Sequence, residues 1–350
     1  MNIAFLVKKI YDFQYFIPLY NFLSSINSSI DIKLFIDKQI TINREFARVR
    51  HFYKRKEFYY LEDLQSFSSD IKVLLSIDND DIVTNDFRYR AYRHIIIQNY
   101  QDYSLSMQRL EAMSFYKNSD VFWCLDERYK NIATELGYTK NFFLGVTPNY
   151  WYLTDKSTQH KSYFTSDKKR AVCFLSRNKV IELDYVKNLE ITPEKETFRT
   201  SDPVVFIEHA RKFAEFLEKN DFEVIFKQRS LYSTRELFSK SNYIESTNIY
   251  PNESLELAFS SDFGYGYMTS ACMHYDLFNK NYINFVDNTY PAILKKMFQI
   301  NTVNNKIHQH NIEDNFDDII KIVNKNDNNN NDLDSQIKNS QDKLLKLLYE

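Results

Sequence analysis

The sequence predicts an α/β protein with mainly parallel sheets, organised in two domains. Short apolar runs of strand length alternate with amphipathic stretches of helical period, which is the arrangement of βα units. The alternation fades once, over residues 145–169, and then begins again. A chain of 350 residues is long enough for two domains, and its 43% hydrophobic residues supply a core for each.

The first βα series begins at the amino terminus. The apolar run at residues 3–7 is too short for a signal peptide or a membrane span, so it predicts a buried first strand. Helical spacing predicts helices over 13–25 and 105–117. The remaining predicted strands of this half are 30–36, 71–77, 94–98, 121–125 and 141–144.

The second series follows a stretch rich in Gly, Pro, Thr, Ser and Lys at 145–169, where we place the interdomain linker. A helix over 203–219 is predicted from Ser201 or Asp202 as cap and Pro203 in the first turn. The predicted strands are 171–175, 223–226, 243–245, 262–263 and 282–286. The Asn-rich run 324–336 predicts a flexible connection before a last helix. The predicted domains are 1–155 and 156–310, followed by carboxyl-terminal helices over 311–350.

Charge and cysteine content exclude some classes of protein. A formal net charge of −2 argues against a general nucleic-acid binder, which needs a basic excess to release counterions. Cys124, Cys173 and Cys272 are odd in number and lack metal-ligand spacing. They predict buried thiols in a reducing cytoplasm.

The stretch "SSDFGYGYMTSACMHY", residues 260–275, contains two of the chain's four glycines. We expect a short strand over 262–263, after which Gly264 and Gly266 let the backbone approach a ligand. Thr269 or Ser270 would then cap a helix running to about residue 279. Ligands of parallel sheets bind beyond the carboxyl ends of the strands, and a helix start favours a phosphate. The alternative is a plain turn followed by a helix cap.

Basic residues follow two predicted strands of the second series. In "FEVIFKQRS", Lys227 and Arg229 come at the end of one strand, and Arg177 comes just after another. Arg presents a fork that suits phosphate oxygens. Together with the hydroxyl-rich stretch they predict an anion site, although each basic residue alone is better explained as a solvated surface charge.

These segments, "VIFKQR" together with "YPNESLELAFSSDFGYGYMTSACMHYDLFNKNYINF", resemble the carboxyl-terminal half of bacterial surface-polysaccharide transferases of the GT-B fold. The resemblance is strongest to CDP-glycerol glycerophosphotransferases and Kdo transferases, and it covers about residues 170–290 and, more loosely, the opening residues. It implies two Rossmann-like α/β domains facing across a cleft. The carboxyl-terminal domain would hold a nucleotide-activated donor without a metal or cofactor. Lys227 and Arg229 would face its phosphates, and Thr269 and Ser270 would take the place of paired hydroxyls.

The first half departs from these relatives. "HIIIQNYQDYS" resembles a segment in which they often have "QHG", but Asn99 and Tyr100 occupy the last two places here. Asn cannot act as a base at neutral pH. Asp102 and Asp12 are therefore the candidate bases, and the alternative for each is a cap or turn residue.

The segment 43–58, "NREFARVRHFYKRKEF", concentrates basic residues between aromatic ones, and the resemblance implies that Arg50, Lys54 and Arg55 belong to an acceptor-side surface. The resemblance suggests an anionic glycan or a lipid-linked glycan as acceptor, at the inner face of the membrane. The alternative is a solvated basic face.

Three other functions remain open. Asp78 and Asp80 in "VLLSIDNDDIV" resemble the DxD of GT-A glycosyltransferases, which hold a divalent metal. A nucleotide-sugar 2-epimerase shares the two-domain outline but needs carboxylates and a histidine around the sugar. Neither His209 nor His274 lies in a motif that requires this, and both are expected to be surface or packing residues. The third alternative is a GT-B protein that binds without catalysis.

Overall fold

The chain forms two compact units. The first comprises Met1–Gln159, Asn248–Asn252 and Asp332–Glu350, and the second comprises His160–Thr247 and Glu253–Asn331. The computed structural model describes residues 1–26, 29–52, 57–67, 69–77, 93–99, 119–154, 160–175, 203–228, 242–244, 249–267, 269, 271–286, 306–325 and 333–349.

The first unit contains a seven-stranded sheet in which every pair of neighbouring strands is parallel. Its strands are β1 (Asn2–Val7), β2 (Asp31–Ile36), β3 (Tyr59–Tyr60), β4 (Val73–Ser76), β5 (Arg93–Ile97), β6 (Val121–Cys124) and β7 (Asn141–Leu144). They lie in the order β3-β2-β1-β4-β5-β6-β7. Apart from β3 and β7 at the edges, these strands are mostly buried, because helices cover both faces of a parallel sheet.

The helices described in the first unit follow the βα pattern. They are α1 (Phe13–Ile26), α2 (Arg44–Phe52), α3 (Leu64–Phe67), α4 (Glu127–Glu135) and, from the end of the chain, α9 (Leu333–Tyr349). The predicted helix over 105–117 lies outside the described residues. The predicted linker is partly wrong, because Pro148–Leu153 is a buried 3-10 helix in which Trp151 packs against Phe22 of α1. The chain passes into the second unit at 159/160.

The second unit contains a six-stranded parallel sheet. Its strands are β8 (Lys169–Leu175), β9 (Phe222–Gln228), β10 (Tyr243–Ile244), β11 (Phe263–Gly266), β12 (Tyr282–Val286) and β13 (Ile307–Asn311), in the order β10-β9-β8-β11-β12-β13. The described helices of this unit are α5 (Pro203–Lys219), α6 (Glu253–Ser260), α7 (Cys272–Leu277) and α8 (Phe316–Asn324). The segment 311–350 does not form a unit of its own, because the chain returns to the first unit at residue 332.

The core of the second unit lies mainly between its sheet and two helices. Phe213 of α5 packs against Tyr265 and Phe285, and Phe316 of α8 joins the same group. The opposite face meets α7, where Tyr275 lies against Phe174 of β8. Both units are therefore Rossmann-like α/β layers. None of the described helices combines the length and the apolar character needed to cross a membrane.

All three cysteines are described, and all are buried and unpaired. Burial raises the pKa of each thiol well above its ordinary value. The prediction of buried thiols is therefore confirmed.

Candidate functional site

Three strands of the second unit end level at the carboxyl edge of the sheet, where the sequence places the donor site. Lys227 on β9 and Gly266 on β11 are both register partners of Phe174 on β8, the strand between them. Adjacent strands lie about 4.8 Å apart, so Lys227 and Gly266 are about 10 Å apart in this row. Register partners point to the same face of the sheet. The structure thus brings Lys227 and the glycine stretch to one edge and one face.

The Lys227 ammonium already has protein partners. Its Nζ lies 3.7 Å from a carboxylate oxygen of Glu253 and donates a 2.9 Å hydrogen bond to the carbonyl of Gln228. The side chains of Lys227 and Glu253 are only 7% and 3% exposed. A buried charge needs such an opposite charge, because burial alone is strongly unfavourable. Any ligand phosphate would share Lys227 with Glu253.

Two glutamates in the first turn of α6 interact with polar side chains from residues 160–163. Lys161 Nζ lies 3.9 Å from Glu253, and the Lys161 side chain is largely exposed. The Tyr163 hydroxyl donates to Glu256 at 2.7 Å, and His160 Nδ1 lies 3.4 Å from the same side chain. Neither glutamate is among the site residues predicted from the sequence. Their signal is a pair of acidic residues in the first turn of a helix, where the helix dipole favours them.

The two glycines lie inside β11 and not in a turn after it, so the predicted strand 262–263 was placed too early. A Cβ on Gly264 would lie 2.5 Å from the ring of Tyr275. A Cβ on Gly266 would lie 2.4 Å from the carbonyl oxygen of Phe174 and 2.7 Å from the Tyr282 hydroxyl. The structure therefore explains both glycines by close packing within the second unit. Their contact with a donor stays a prediction.

Thr269 lies just before α7 and takes part in its start. Its hydroxyl accepts a 3.2 Å hydrogen bond from the Ala271 amide, and its carbonyl accepts one from the Cys272 amide at 3.3 Å. The helix is shorter than expected, since it ends at Leu277. The N-cap residue is Ala271, so Thr269 forms the turn before the helix and is not its cap, and a phosphate contact remains a prediction.

Tyr267, the residue after β11, forms a hydrogen bond with His209, which was predicted from the sequence to be a surface or packing residue. His209 lies on α5, and its Nδ1 is 2.6 Å from the Tyr267 hydroxyl. Burial lowers the pKa of His209 to about 4, while the Ile312 backbone acts in the opposite direction. His274 on α7 is also buried, and burial lowers its pKa to about 3. Both histidines are therefore core residues that stay neutral at physiological pH.

The first unit places two predicted residues at the carboxyl edge of its own sheet. Asp12 is buried, and its carboxylate accepts hydrogen bonds from the amides of Lys8 and Lys9 at 2.8 and 2.9 Å. Asn99 follows β5, and its side-chain oxygen accepts a 3.4 Å bond from the Tyr15 hydroxyl on α1. Asp12 thus closes the loop after β1, in agreement with the turn alternative. Its role as a base is still a prediction.

The basic segment is an amphipathic helix in its described part. Phe46 and Val49 of α2 are buried, whereas Arg48 and Arg50 are exposed. The Arg50 guanidinium lies 5.3 Å from the centre of the Phe58 ring, a cation–π distance. The helix therefore presents positive charge to solvent.

Several predicted site residues lie outside the described residues: Asp102, Arg177, Arg229, Ser270, Lys54 and Arg55. Asp78 and Asp80 of the metal-dependent alternative lie outside them as well. Within the described ranges, no three His, Cys, Asp or Glu side chains are grouped to hold a metal ion.

No family model and no curated protein matches this sequence, but solved structures match its fold. The UDP-GlcNAc 2-epimerase of Methanocaldococcus jannaschii, solved with UDP-GlcNAc and UDP, is 13% identical, with both chains covered at 100% and a TM-score of 0.57. The glycotransferase of kitacinnamycin is 10% identical, covers 99% of this chain and 98% of its own, and has a TM-score of 0.52. The MnaA–UDP structure from S. aureus is 14% identical over 81% of this chain and 78% of its own, with a TM-score of 0.50. The chain has the α/β GT-B fold, with one parallel sheet in each unit.

Proposed function

We propose that this chain is a GT-B transferase that moves a sugar or polyol-phosphate unit from a nucleotide-activated donor to a cell-surface glycan. The observation that carries the proposal is the carboxyl edge of the second sheet, where Lys227 and the end of β11 lie in one row. Ligands of parallel α/β sheets bind beyond this edge. The fold is shared with a solved glycotransferase and with proteins solved with UDP.

In this proposal the second unit holds the donor. The chain leaving β11 would offer backbone amides and the hydroxyls of Thr269 and Ser270 to the donor phosphates. Arg177, Lys227 and Arg229 would add positive charge at the ends of the neighbouring strands. Fixed donors of this kind stabilise the negative charge that grows on the leaving phosphate, and they position the donor for attack. The mechanism needs no metal.

The first unit would hold the acceptor, near Asn99 and Asp12 at the edge of its own sheet. The exposed arginines of α2, continued by Lys54 and Arg55, would attract an anionic or lipid-linked glycan. An enzyme of this kind would work in the cytoplasm at the inner face of the membrane. Asp12 or Asp102 would take the proton from the acceptor hydroxyl.

A nucleotide-sugar 2-epimerase is the second candidate. The observation in its favour is the match over the full length of both chains to the UDP-GlcNAc 2-epimerase of M. jannaschii. The two reactions differ in whether an acceptor is needed and in whether the nucleotide is released.

Phosphorus NMR separates these candidates. The protein is mixed with UDP-GlcNAc, CDP-glycerol or CMP-Kdo, with and without a lipid-linked glycan fraction. A transferase releases free nucleotide only with the acceptor, whereas an epimerase makes a new nucleotide sugar without it. Absence of both reactions and of donor binding would contradict an enzymatic role.

Chelation tests the proposed metal independence. EDTA should leave turnover intact, because arginine, lysine and amide groups would neutralise the phosphates. Loss of turnover with EDTA, restored by Mn²⁺, would favour the metal-dependent alternative that uses Asp78 and Asp80.

A further inference from the structure

The hydrogen bond between Tyr267 and His209 lies in apolar surroundings at the carboxyl edge of the second sheet. Tyr267 is 2% exposed and His209 is 8% exposed. The His209 ring packs against Phe285 at 4.5 Å and Phe316 at 5.3 Å between ring centroids. A hydrogen bond is stronger in such a low-dielectric site, and breaking it leaves a buried polar group unpaired. The bond therefore holds Tyr267 firmly against α5.

Packing alone does not explain this pair. Phenylalanine at 267 would keep the ring contact with Phe206, whose centroid lies 4.3 Å away. Tyr265, two residues earlier on the same strand, also points its hydroxyl at α5, where it donates to the Ala210 carbonyl at 3.4 Å. Tyr267 differs in the length of its hydrogen bond, 2.6 Å compared with 3.4 Å for Tyr265, and in its position where the chain leaves β11. The residues that follow it are those of the proposed donor site.

We propose that His209 is a positioning residue for the donor site. Through the Tyr267 hydroxyl it fixes the direction in which the chain leaves β11 towards Thr269. A segment that presents amides and hydroxyls to a phosphate binds more tightly when it is held in place before the ligand arrives. This inference rests on the proposed function, because it deepens the account of the same donor site.

The experiment compares two tyrosine-to-phenylalanine changes on one strand. Tyr267→Phe removes the bond to His209, and Tyr265→Phe is the matched control that removes a hydroxyl facing the same helix. Binding of UDP, CDP, CMP, GDP and ADP is measured by titration calorimetry. For each nucleotide that the parent binds, Tyr267→Phe and His209→Phe should weaken binding about tenfold, and Tyr265→Phe by less than about twofold. His209→Asn, which keeps a hydrogen-bonding group near the Nδ1 position, should restore most of the affinity.

Hydrogen exchange gives a readout that needs no ligand. Amides in a peptide covering residues 266–272 should exchange faster in Tyr267→Phe than in Tyr265→Phe, although the melting temperatures of the two variants agree within about 3 °C. Equal effects of the two variants on affinity and exchange would overturn the inference and make the bond an ordinary part of the core. Unchanged affinity in Tyr267→Phe would overturn it too. A parent that binds none of the five nucleotides would overturn the proposed function as well.

Discussion

Replacing Glu253 with Gln should destabilise the second unit strongly, whereas replacing its exposed partner should not. Glu253 lies between two lysines at similar distances, 3.7 Å from Lys227 and 3.9 Å from Lys161. The Lys227 side chain is 7% exposed and that of Lys161 is 63% exposed. Glu253→Gln therefore leaves the Lys227 ammonium buried without its counter-charge. Lys161→Met removes only a charge that water already screens.

The magnitude follows from burial and distance. Removing one partner of a buried ion pair costs about 3–5 kcal/mol. The 3.7 Å distance is longer than a direct charge-assisted hydrogen bond, so we expect the lower end, about 3 kcal/mol. For a unit of about 150–250 residues this lowers the melting temperature by roughly 6–12 °C. Lys161→Met should cost less than about 1 kcal/mol, as for other exposed pairs.

Guanidinium unfolding followed by far-UV circular dichroism measures these costs. Fluorescence of Trp123 and Trp151 serves as the probe of the first unit, which contains both tryptophans of the chain. The double variant Lys227→Met/Glu253→Gln removes both charges and should recover about 2 kcal/mol relative to Glu253→Gln. Equal costs for Glu253→Gln and Lys161→Met, or no recovery in the double variant, would refute the reasoning.

Three further predictions concern packing, helix capping and protonation. Gly266→Ala should lower the free energy of unfolding in urea by about 1–3 kcal/mol, because the alanine Cβ would meet the main-chain carbonyl of Phe174, which cannot move aside. A variant as stable as the parent would contradict this packing. Lys280→Met should cost about 2 kcal/mol in the same assay, because the Lys280 ammonium donates hydrogen bonds to three carbonyls at the end of α6. A variant as stable as the parent would show that water replaces the ammonium as the hydrogen-bond donor. The unfolded chain protonates His209 near pH 6.5 and the folded protein only near pH 4, so stability should fall as pH drops between these values. The loss is about 3 kcal/mol at most. His209→Asn should reduce that slope without abolishing it, because His274 contributes a slope of the same sign, and an unchanged slope would exclude His209 as one of its sources.

Most of the strands, and the helix α5, could be predicted because each carries its signal locally. Buried parallel strands are apolar on both faces, so the predicted range 282–286 coincides with β12 and the predicted range 121–125 differs from β6 by one residue. Helix α5 coincides with the predicted 203–219, where proline and a polar cap mark its start. Strand β13 was missed because its sequence, IHQHN, is polar and half-exposed at the edge of the sheet.

The site was harder to predict because its contacts join residues that are far apart in the sequence. Gly264 is explained by Tyr275 on the following helix, and nothing near Gly264 in the sequence shows that the ring fills its space. Lys227 meets Glu253 across 26 positions of the chain. A basic residue after a strand predicts the edge on which it lies. It does not predict whether a protein carboxylate or a ligand neutralises it.

This pairing determines what Lys227 can contribute to a donor site. As a pair, Lys227 and Glu253 carry no net charge, so in the proposed donor site most of the attraction for a phosphate would have to come from Arg177, Arg229 and the amides after β11. If Lys227 also faces the donor, Glu253→Gln leaves one uncompensated positive charge at the sheet edge and should tighten nucleotide binding by up to about fivefold at low salt. The same change lowers stability, and a merely destabilised protein does not gain affinity for its ligand. Weaker binding in Glu253→Gln, with the fold intact, would show that the pair only stabilises the fold.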